Sequence, residues 1–240
     1  MASQTALLLG ATGQVGQNVL KELLANPHFT KVGEYGRRVT NTDNLTTGKD
    51  KLVQKTIDFE KLGESGLKEG KWDVVFIAMG TTKKAAGSAE AFVKIDREYV
   101  VNAAREAKTD SPQRLVYVSS IGANPSASFL YPQSKGLTEV GLAGLGYSDT
   151  IVFRPGYLAG TSRGDSRVAE SILGAVTGLM SHFSSNVEIQ ISTLGKSIVA
   201  AGKLGSAALP PAAQATKAGN PGAEFTLITN SGALGLAKEV

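Results

Sequence analysis

The stretch that decides the fold is "TALLLGATGQVG", Thr5 to Gly16. A short, almost wholly apolar run ends at Gly10, and Gly13 and Gly16 follow before a helical pattern begins. Buried parallel strands have this continuous apolar character. The first glycine permits a tight turn, the second lets backbone approach a pyrophosphate, and the third lets helix and strand pack closely. The stretch therefore predicts a dinucleotide-binding βαβ unit.

Short apolar runs alternate with helical patterns along most of the chain. Such alternation calls for a parallel sheet covered by helices on both faces. The predicted strands are Thr5–Gly10, Lys31–Gly36, Leu52–Ile57, Asp73–Met79, Arg114–Ser120, Thr150–Gly156, 187–191 and 224–229, and the predicted helices after the first are Ser88–Lys108, Tyr131–Leu145, Ser166–Met180 and Leu194–Ala208. Residues 209–222 are predicted to be a loop or a mobile segment. The sequence thus predicts one α/β domain over residues 1–240, a Rossmann-type doubly wound parallel sheet in which residues 157–240 add a small lid on the substrate side.

Composition and charge exclude several classes of protein. Hydrophobic residues make up 42% of the 240 residues, as in globular proteins. The chain has no cysteine, which excludes disulfides and cysteine nucleophiles and indicates a reducing compartment. The net charge of +4 comes from scattered basic residues, which argues against nucleic acid as a partner. His28 and His182 stand in no metal-binding motif, so no metal is expected.

The apolar stretches and the N-terminal residues indicate where in the cell the protein is located. No apolar stretch approaches the length of about 20 residues that spans a bilayer. The N-terminal residues do not have the composition of a presequence. We therefore expect a cytoplasmic protein, and peripheral attachment to a membrane stays open.

The residues after the second predicted strand indicate which dinucleotide binds. NAD-binding proteins usually place Asp or Glu there to hold the ribose 2′-OH, whereas NADP-binding proteins place arginine near the 2′-phosphate. Here the strand runs into Arg37 and Arg38, and no acid follows Gly36. Paired guanidinium groups suit a phosphate dianion. Glu34, earlier in the strand, is a rival, but the arginines favour NADP(H).

Two further loops follow predicted strands at the sheet edge where folds of this kind bind ligands. Asp58 and Phe59 come after the third strand and would lie beside the adenine. Met79, Gly80 and Thr81 come after the fourth strand and would pass under the cofactor.

Tyr131 and Lys135 stand four residues apart in "YPQSK", so they share one face of a predicted helix. Ser119 and Ser120 end a strand upstream of them. A phenol with a pKa of about 10 is a poor acid at neutral pH, and a nearby ammonium stabilises its ionised form. In a reduction, Tyr131 would protonate the substrate oxygen and a serine would hold that oxygen. Lys135 would also bind the nicotinamide ribose.

The motifs "GATGQVG", "SS" and "YPQSK" resemble those of the short-chain dehydrogenase/reductase superfamily. The set "LLLGATGQVG", "GRR", "MGTTKKAAGSAEAFVKIDREYV", "VYVSSIGA", "FLYPQSKG" and "FRPGYLAG" is similar to an atypical branch of it. That branch includes the human Tat-interacting oxidoreductase and fungal proteins of the mitochondrial outer membrane. The resemblance covers about Ala6 to Arg167 and implies that NADPH is bound.

The resemblance also implies roles for individual residues. The superfamily usually places its catalytic serine second in such a pair, which favours Ser120 over Ser119. Many members use an asparagine in the preceding helix for a proton relay, whereas this chain has Asp96 near that place and Asn102 further on, which leaves the relay in doubt. The implied cofactor contacts are Thr12, Gly13, Gln14, Val15, Arg37, Arg38, Met79, Gly80, Tyr131, Lys135, Leu158, and Arg163 or Arg167.

Two functions stay open from the sequence. The first is an NADPH-dependent oxidoreductase that transfers hydride to a small-molecule carbonyl substrate through Ser120, Tyr131 and Lys135. The second is a regulatory or protein-interaction module that binds NADPH with little turnover, as the branch also includes regulators that bind other proteins. The apolar face of the Tyr131–Leu145 helix could form a homodimer. The resemblance also allows peripheral association with the mitochondrial outer membrane.

Overall fold

The computed structural model describes residues 2–160 and 188–239. The strands are β1 (Gln4–Leu9), β2 (Phe29–Gly36), β3 (Leu52–Thr56), β4 (Val74–Ile77), β5 (Arg114–Val118), β6 (Asp149–Arg154), β7 (Tyr157–Ala159), β8 (Glu188–Gln190), β9 (Thr216–Asn220) and β10 (Ala223–Thr229). The α-helices are α1 (Gln14–Ala25), α2 (Lys83–Ala86), α3 (Ala89–Val93), α4 (Tyr99–Ala107), α5 (Leu130–Ala143), α6 (Ile191–Leu204) and α7 (Asn230–Leu236).

Eight strands form one sheet in the order β3-β2-β1-β4-β5-β6-β10-β9, and only the pair of β9 with β10 is antiparallel. β7 and β8 pair with each other in a second, two-stranded sheet. The order of the first six strands is that of the dinucleotide-binding fold, whose ligand crevice opens where the order reverses, between β1 and β4. The predicted doubly wound α/β fold is confirmed.

Alternate residues of the central strands face opposite sides of the sheet, and both sides are buried. Leu8 and Phe76 pack with α1 and α6 on one side. Leu7, Val75 and Tyr117 pack with α4 and α5 on the other. Because both faces are covered, these strands read as continuous apolar runs instead of alternating ones.

The helix predicted over residues 88–108 is interrupted by a π-helical turn, Lys94–Glu98, between α3 and α4. Turns of this kind are rare and occur often at functional sites. Here the turn carries Asp96 into the interior, where its side chain is fully buried. The helical periodicity of the sequence does not reveal this local change.

A buried acid fixes α5 to β6. Glu139, which is 1% exposed, accepts a hydrogen bond of 2.9 Å from Nε of Arg154, and its second oxygen accepts from Nη2 of the same guanidinium. A two-point fork of this kind fixes orientation as well as distance. The helix begins at Leu130, so Tyr131 lies in its first turn.

Residues 209–222 are not the loop that the sequence predicts. They contain a 3₁₀ turn at Pro211–Ala213 and the strand β9, which pairs with β10 across a turn at Pro221 and Gly222. β9 is a largely exposed edge strand, and its sequence "TKAGN" has little of the apolar character that marks a buried strand. The prediction was wrong because it relied on apolar runs.

Much of the last third of the chain completes the central sheet. β10 pairs with β6, α6 packs beside α1, and α7, which the sequence did not predict, packs on the same side. The helix predicted over Ser166–Met180 lies outside the described residues, and the lid over the nicotinamide end stays a prediction. None of the helices in the described ranges is long and apolar enough to cross a membrane.

The close approach of α1 to the end of β1 gives a testable prediction. A Cβ on Gly16 would lie 2.0 Å from the carbonyl oxygen of Gly10, so Gly16→Ala forces helix and strand apart. We expect the free energy of unfolding to fall by about 2 kcal/mol or more in urea denaturation, as for an overpacked core. The matched control is Gly63→Ala, where an added Cβ meets nothing within 4 Å. Equal stability of the two variants would contradict this packing.

Candidate cofactor and active site

The glycine turn joins the end of β1 to the start of α1. Gly10 has φ of +91°, and a Cβ there would lie 2.8 Å from backbone atoms of Ala78 and Met79, so the turn requires glycine. Gly13 is the N-cap of α1 and, as a glycine, offers no side-chain oxygen to the amides of the first turn. Backbone amides and the positive end of the helix dipole suit a pyrophosphate at this position. The predicted cofactor residues brought together here are Gly10, Thr12, Gly13, Gln14, Val15 and Gly16.

The two predicted phosphate-binding arginines follow β2 directly. Arg37 and Arg38 are exposed, and neither makes an ion pair within the described parts of the chain. Glu34, the rival for a ribose hydroxyl, is only 1% exposed. The charged side chains that a ligand can reach at the end of β2 are therefore the two guanidinium groups.

The loop after β3 holds Asp58 and Phe59 in different surroundings. Asp58 is exposed, and its Oδ1 accepts a hydrogen bond of 2.9 Å from the amide of Glu60. The ring of Phe59 stacks on Tyr99 with 5.4 Å between ring centroids and packs against the core. Phe59 thus fixes this loop to the protein interior, while Asp58 stays open to a ligand.

A buried ion pair lies beyond the carboxyl ends of β4 and β5. Nζ of Lys135 is 2.9 Å from Oδ1 of Asp96, and the two side chains are 5% and 0% exposed. The amide of Thr81 donates to the same Oδ1 at 3.2 Å. A Cβ on Gly80 would lie 3.2 Å from that oxygen and 3.3 Å from Nζ of Lys135. The loop after β4, predicted to pass under the cofactor, therefore lies against this pair.

Tyr117, at the end of β5, completes the surroundings of the lysine. Nζ of Lys135 donates a hydrogen bond of 3.3 Å to its hydroxyl. Burial raises the pKa of Tyr117, so the phenol stays neutral. Burial alone would lower the pKa of Lys135, but the neighbouring Tyr117 and Asp96 outweigh it and hold that pKa well above its ordinary value. The lysine is therefore a permanent buried cation.

Tyr131 is half-buried and lies on the same helix face as the lysine, as its spacing predicts. Nζ of Lys135 is 5.9 Å from the centroid of the Tyr131 ring. The ring also packs against Phe92, with 5.9 Å between centroids. A phenol hydroxyl thus sits within the field of a buried cation while its residue remains partly open to solvent.

The two serines after β5 differ in exposure. Ser119 is 6% exposed, its amide donates to the carbonyl of Phe153 at 2.8 Å, and its Oγ has no hydrogen-bond partner among the described residues. Ser120 is half-buried, and its Oγ donates to the carbonyl of Ile121 at 3.3 Å. Ser120 is the more accessible of the pair.

The remaining predicted positions lie elsewhere. Leu158 is in β7, pairs with Ile189 and packs against the core. Arg163 and Arg167 lie outside the described residues. Asn102 is an exposed residue of α4 whose Oδ1 accepts a hydrogen bond from Arg105, so it takes no part in this site.

Sequence reasoning missed two features of the site. It placed Asp96 in the region of a proton relay but did not predict its direct pairing with Lys135. It did not single out Tyr117, which reads as one more apolar residue of a buried strand. In the described ranges, no group of acidic or histidine side chains could hold a metal ion.

Comparison with known proteins gives a consistent result. Residues 10–173 match the family described as NAD(P)H-binding. Protein HTATIP2 of Rattus norvegicus is 38% identical over 170 residues, 71% of this chain and 69% of that protein. Protein FMP52-1, mitochondrial, of Scheffersomyces stipitis is 41% identical over 164 residues, 67% of this chain and 71% of that protein.

A solved structure shares the fold. The UDP-N-acetylglucosamine 4-epimerase from Methanobrevibacter ruminantium M1, in complex with UDP-N-acetylmuramic acid, gives a TM-score of 0.61 at 14% identity, over 85% of this chain and 74% of that one. At this identity the likeness extends to the architecture alone.

The buried ion pair gives a second prediction. Asp96→Asn leaves the ammonium of Lys135 buried without its counter-ion, and we expect a loss of about 3 kcal/mol in the free energy of unfolding. Adding Lys135→Met removes the stranded charge, so the double variant should lose less than the sum of the single losses. The measurement is a urea double-mutant cycle.

The control for that cycle is Glu106→Gln. Glu106 pairs with Lys68 at 3.7 Å, and the two side chains are 30% and 55% exposed, so its removal should change stability by less than about 1 kcal/mol. Strictly additive losses at Asp96 and Lys135 would show that the two groups do not interact as a charged pair.

Proposed function

The chain belongs to the NAD(P)H-binding family, in the branch of HTATIP2 and FMP52, and on that basis we propose that it is an NADPH-dependent reductase of carbonyl compounds. The observation that carries the proposal is the placement of Tyr131 beside the buried cation of Lys135, at the sheet edge that also carries the glycine turn. A scaffold for the dinucleotide alone needs no proton donor at that point.

The residues at hand fit the dinucleotide. The turn at Gly10 leaves no room for a side chain, and the N-cap of the helix that follows it is the glycine Gly13. Arg37 and Arg38 are exposed cations without ion-pair partners in the described ranges, which supports binding of a 2′-phosphate and hence NADP(H). Lys135, below the loop at Gly80, would hold the nicotinamide ribose.

The chain's own groups would perform the proton chemistry. When bound, NADPH would supply a hydride to the carbonyl carbon. The hydroxyl of Ser120 donates a hydrogen bond to the carbonyl oxygen and orients it. Tyr131 then transfers its hydroxyl proton to that oxygen, and the buried charge of Lys135 stabilises the phenolate left behind. Asp96 and Tyr117 fix the position of Lys135 and do not touch the substrate.

A second function is favoured by one observation. The carboxylate of Asp96 lies 2.9 Å from Nζ of Lys135 and offsets part of its field at Tyr131. With this arrangement, Lys135 can still hold the ribose, but it stabilises a phenolate on Tyr131 less, which weakens the support for acid–base chemistry. A regulatory or protein-interaction module that binds NADPH with little turnover is the corresponding alternative.

Two fungal relatives carry the word mitochondrial in their names, and we extend that location to this chain as peripheral association with the outer membrane. Alkaline carbonate washing of isolated mitochondria tests it: the protein should pellet with the organelle and be released by the wash. Recovery in the cytosolic fraction alone would contradict it. A homodimer through α5 stays a prediction.

Tyr131→Phe tests the reductase directly. The change removes the proton donor and keeps the ring that packs on Phe92, so kcat should fall by about 100-fold or more while the Kd of NADPH changes modestly. The assay is NADPH oxidation with the best carbonyl substrate of the unmodified protein. Tyr147→Phe is the control, because Tyr147 lies just before β6, at the end of the sheet remote from the candidate site. Its buried hydroxyl donates to the carbonyl of Ala104. Activity that survives in Tyr131→Phe would rule out the assigned proton donor.

A further inference from the structure

A closed set of hydrogen bonds surrounds Glu34, two residues before β2 ends. Its Oε1 accepts from both the amide and the hydroxyl of Thr40, each at 2.7 Å. Its Oε2 accepts from Nε2 of Gln54 at 2.7 Å. The same Nε2 donates to the carbonyl of Thr40, also at 2.7 Å. Three residues from β2, β3 and the loop between them are thereby joined in one partly buried network.

Every partner of the Glu34 carboxylate is a donor. Glu34 makes no ion pair within the described residues, and its side chain is almost fully buried. A buried carboxylate without a cation is costly unless hydrogen bonds satisfy it. Both oxygens are engaged here, so this acid is not available to a ribose hydroxyl.

The network fixes one end of the turn that carries the arginines. The other end is fixed at Gly36, which pairs with Thr56 in the sheet and whose carbonyl accepts from the amide of Ile57 at 2.9 Å. Only residues 37–39 lie between these two fixed points. The turn folds back closely, since a Cβ on Gly36 would lie 3.1 Å from the carbonyl oxygen of Arg38.

We propose that Glu34 is a positioning residue for cofactor selection: by tying Thr40 to the sheet it holds Arg37 and Arg38 where they meet the 2′-phosphate of an adenine dinucleotide. The inference rests on the proposed NADP(H) function. Holding the backbone of the turn before binding reduces the entropy lost when the guanidinium groups engage the phosphate. An acid in the second strand usually indicates an NAD site, whereas here it supports selectivity for NADP(H).

Glu34→Gln is the first test. The substitution keeps the shape but replaces one acceptor oxygen with an amide donor where only donors face it, so the bonds from Thr40 and Gln54 cannot all be kept and the hold on the turn weakens. We expect the Kd of NADPH to rise roughly tenfold and that of NADH to stay the same. The matched fragments 2′,5′-ADP and 5′-AMP should show the same loss of selectivity. The readouts are fluorescence titration for the dinucleotides and calorimetry for the fragments, on the full chain.

Thr40 supplies a second pair of variants in case Glu34→Gln fails to fold. Thr40→Val removes the hydroxyl donor and should lower the NADPH to NADH selectivity in the same direction, whereas Thr40→Ser keeps the hydroxyl and should retain it. Glu64→Gln, on an exposed residue, is the control for the change in charge. Thermal unfolding of each variant verifies that it is folded.

The outcomes separate the two proposals. If the unmodified protein does not prefer NADPH, or if a variant with Arg37→Ala and Arg38→Ala keeps the preference, the proposed NADP(H) function fails. If the arginine variant loses the preference but Glu34→Gln and Thr40→Val keep it, the role of Glu34 is overturned. Weaker NADH binding with unchanged NADPH binding in Glu34→Gln would also overturn it, because Glu34 would then hold the ribose hydroxyl.

Discussion

Lys135 and Asp96 form an ion pair of 2.9 Å in the interior, and the candidate site is built around that pair. Two separate ions in these positions would be strongly unfavourable, and together they are tolerated because each is paired and hydrogen-bonded. The pair joins α5 to the π-helical turn, and Thr81 binds the loop after β4 to the same carboxylate. Tyr117 of β5 also contacts the pair, because its hydroxyl accepts a hydrogen bond from Lys135. Four elements thus share one charged centre.

This ion pair explains why a π-helical turn interrupts the helix between α3 and α4. In a regular α-helix over residues 89–107, the side chains that follow Val93 would point in different directions. The π-helical turn instead places the Asp96 side chain against Lys135 of α5. The local distortion is retained because the buried ammonium needs a counter-ion.

The sequence was enough for the architecture. The run into Gly10 and the alternation of strands and helices predicted the sheet, since buried parallel strands and glycine turns have strong local signals. The spacing of Tyr131 and Lys135 predicted a shared helix face. The hydrogen bonds of Asp96 and Tyr117 with Lys135 could not be predicted, because these residues are distant along the chain and burial decides which of them meet. Thr40 is only six residues from Glu34, but nothing in the sequence shows that the loop folds back onto this carboxylate. β9 was missed since exposed edge strands lack an apolar pattern.

On the proposed function, the buried cation beside Tyr131 supports reduction in addition to holding the ribose. The most direct measurement is the rate of NADPH oxidation by the purified full chain against a panel of aldehydes, ketones and quinones, preceded by titration with NADPH and NADH. We expect tight NADPH binding and saturable oxidation with one class of carbonyl compound. Tight binding with no oxidation across the panel would contradict the proposed function in favour of a cofactor-binding regulator.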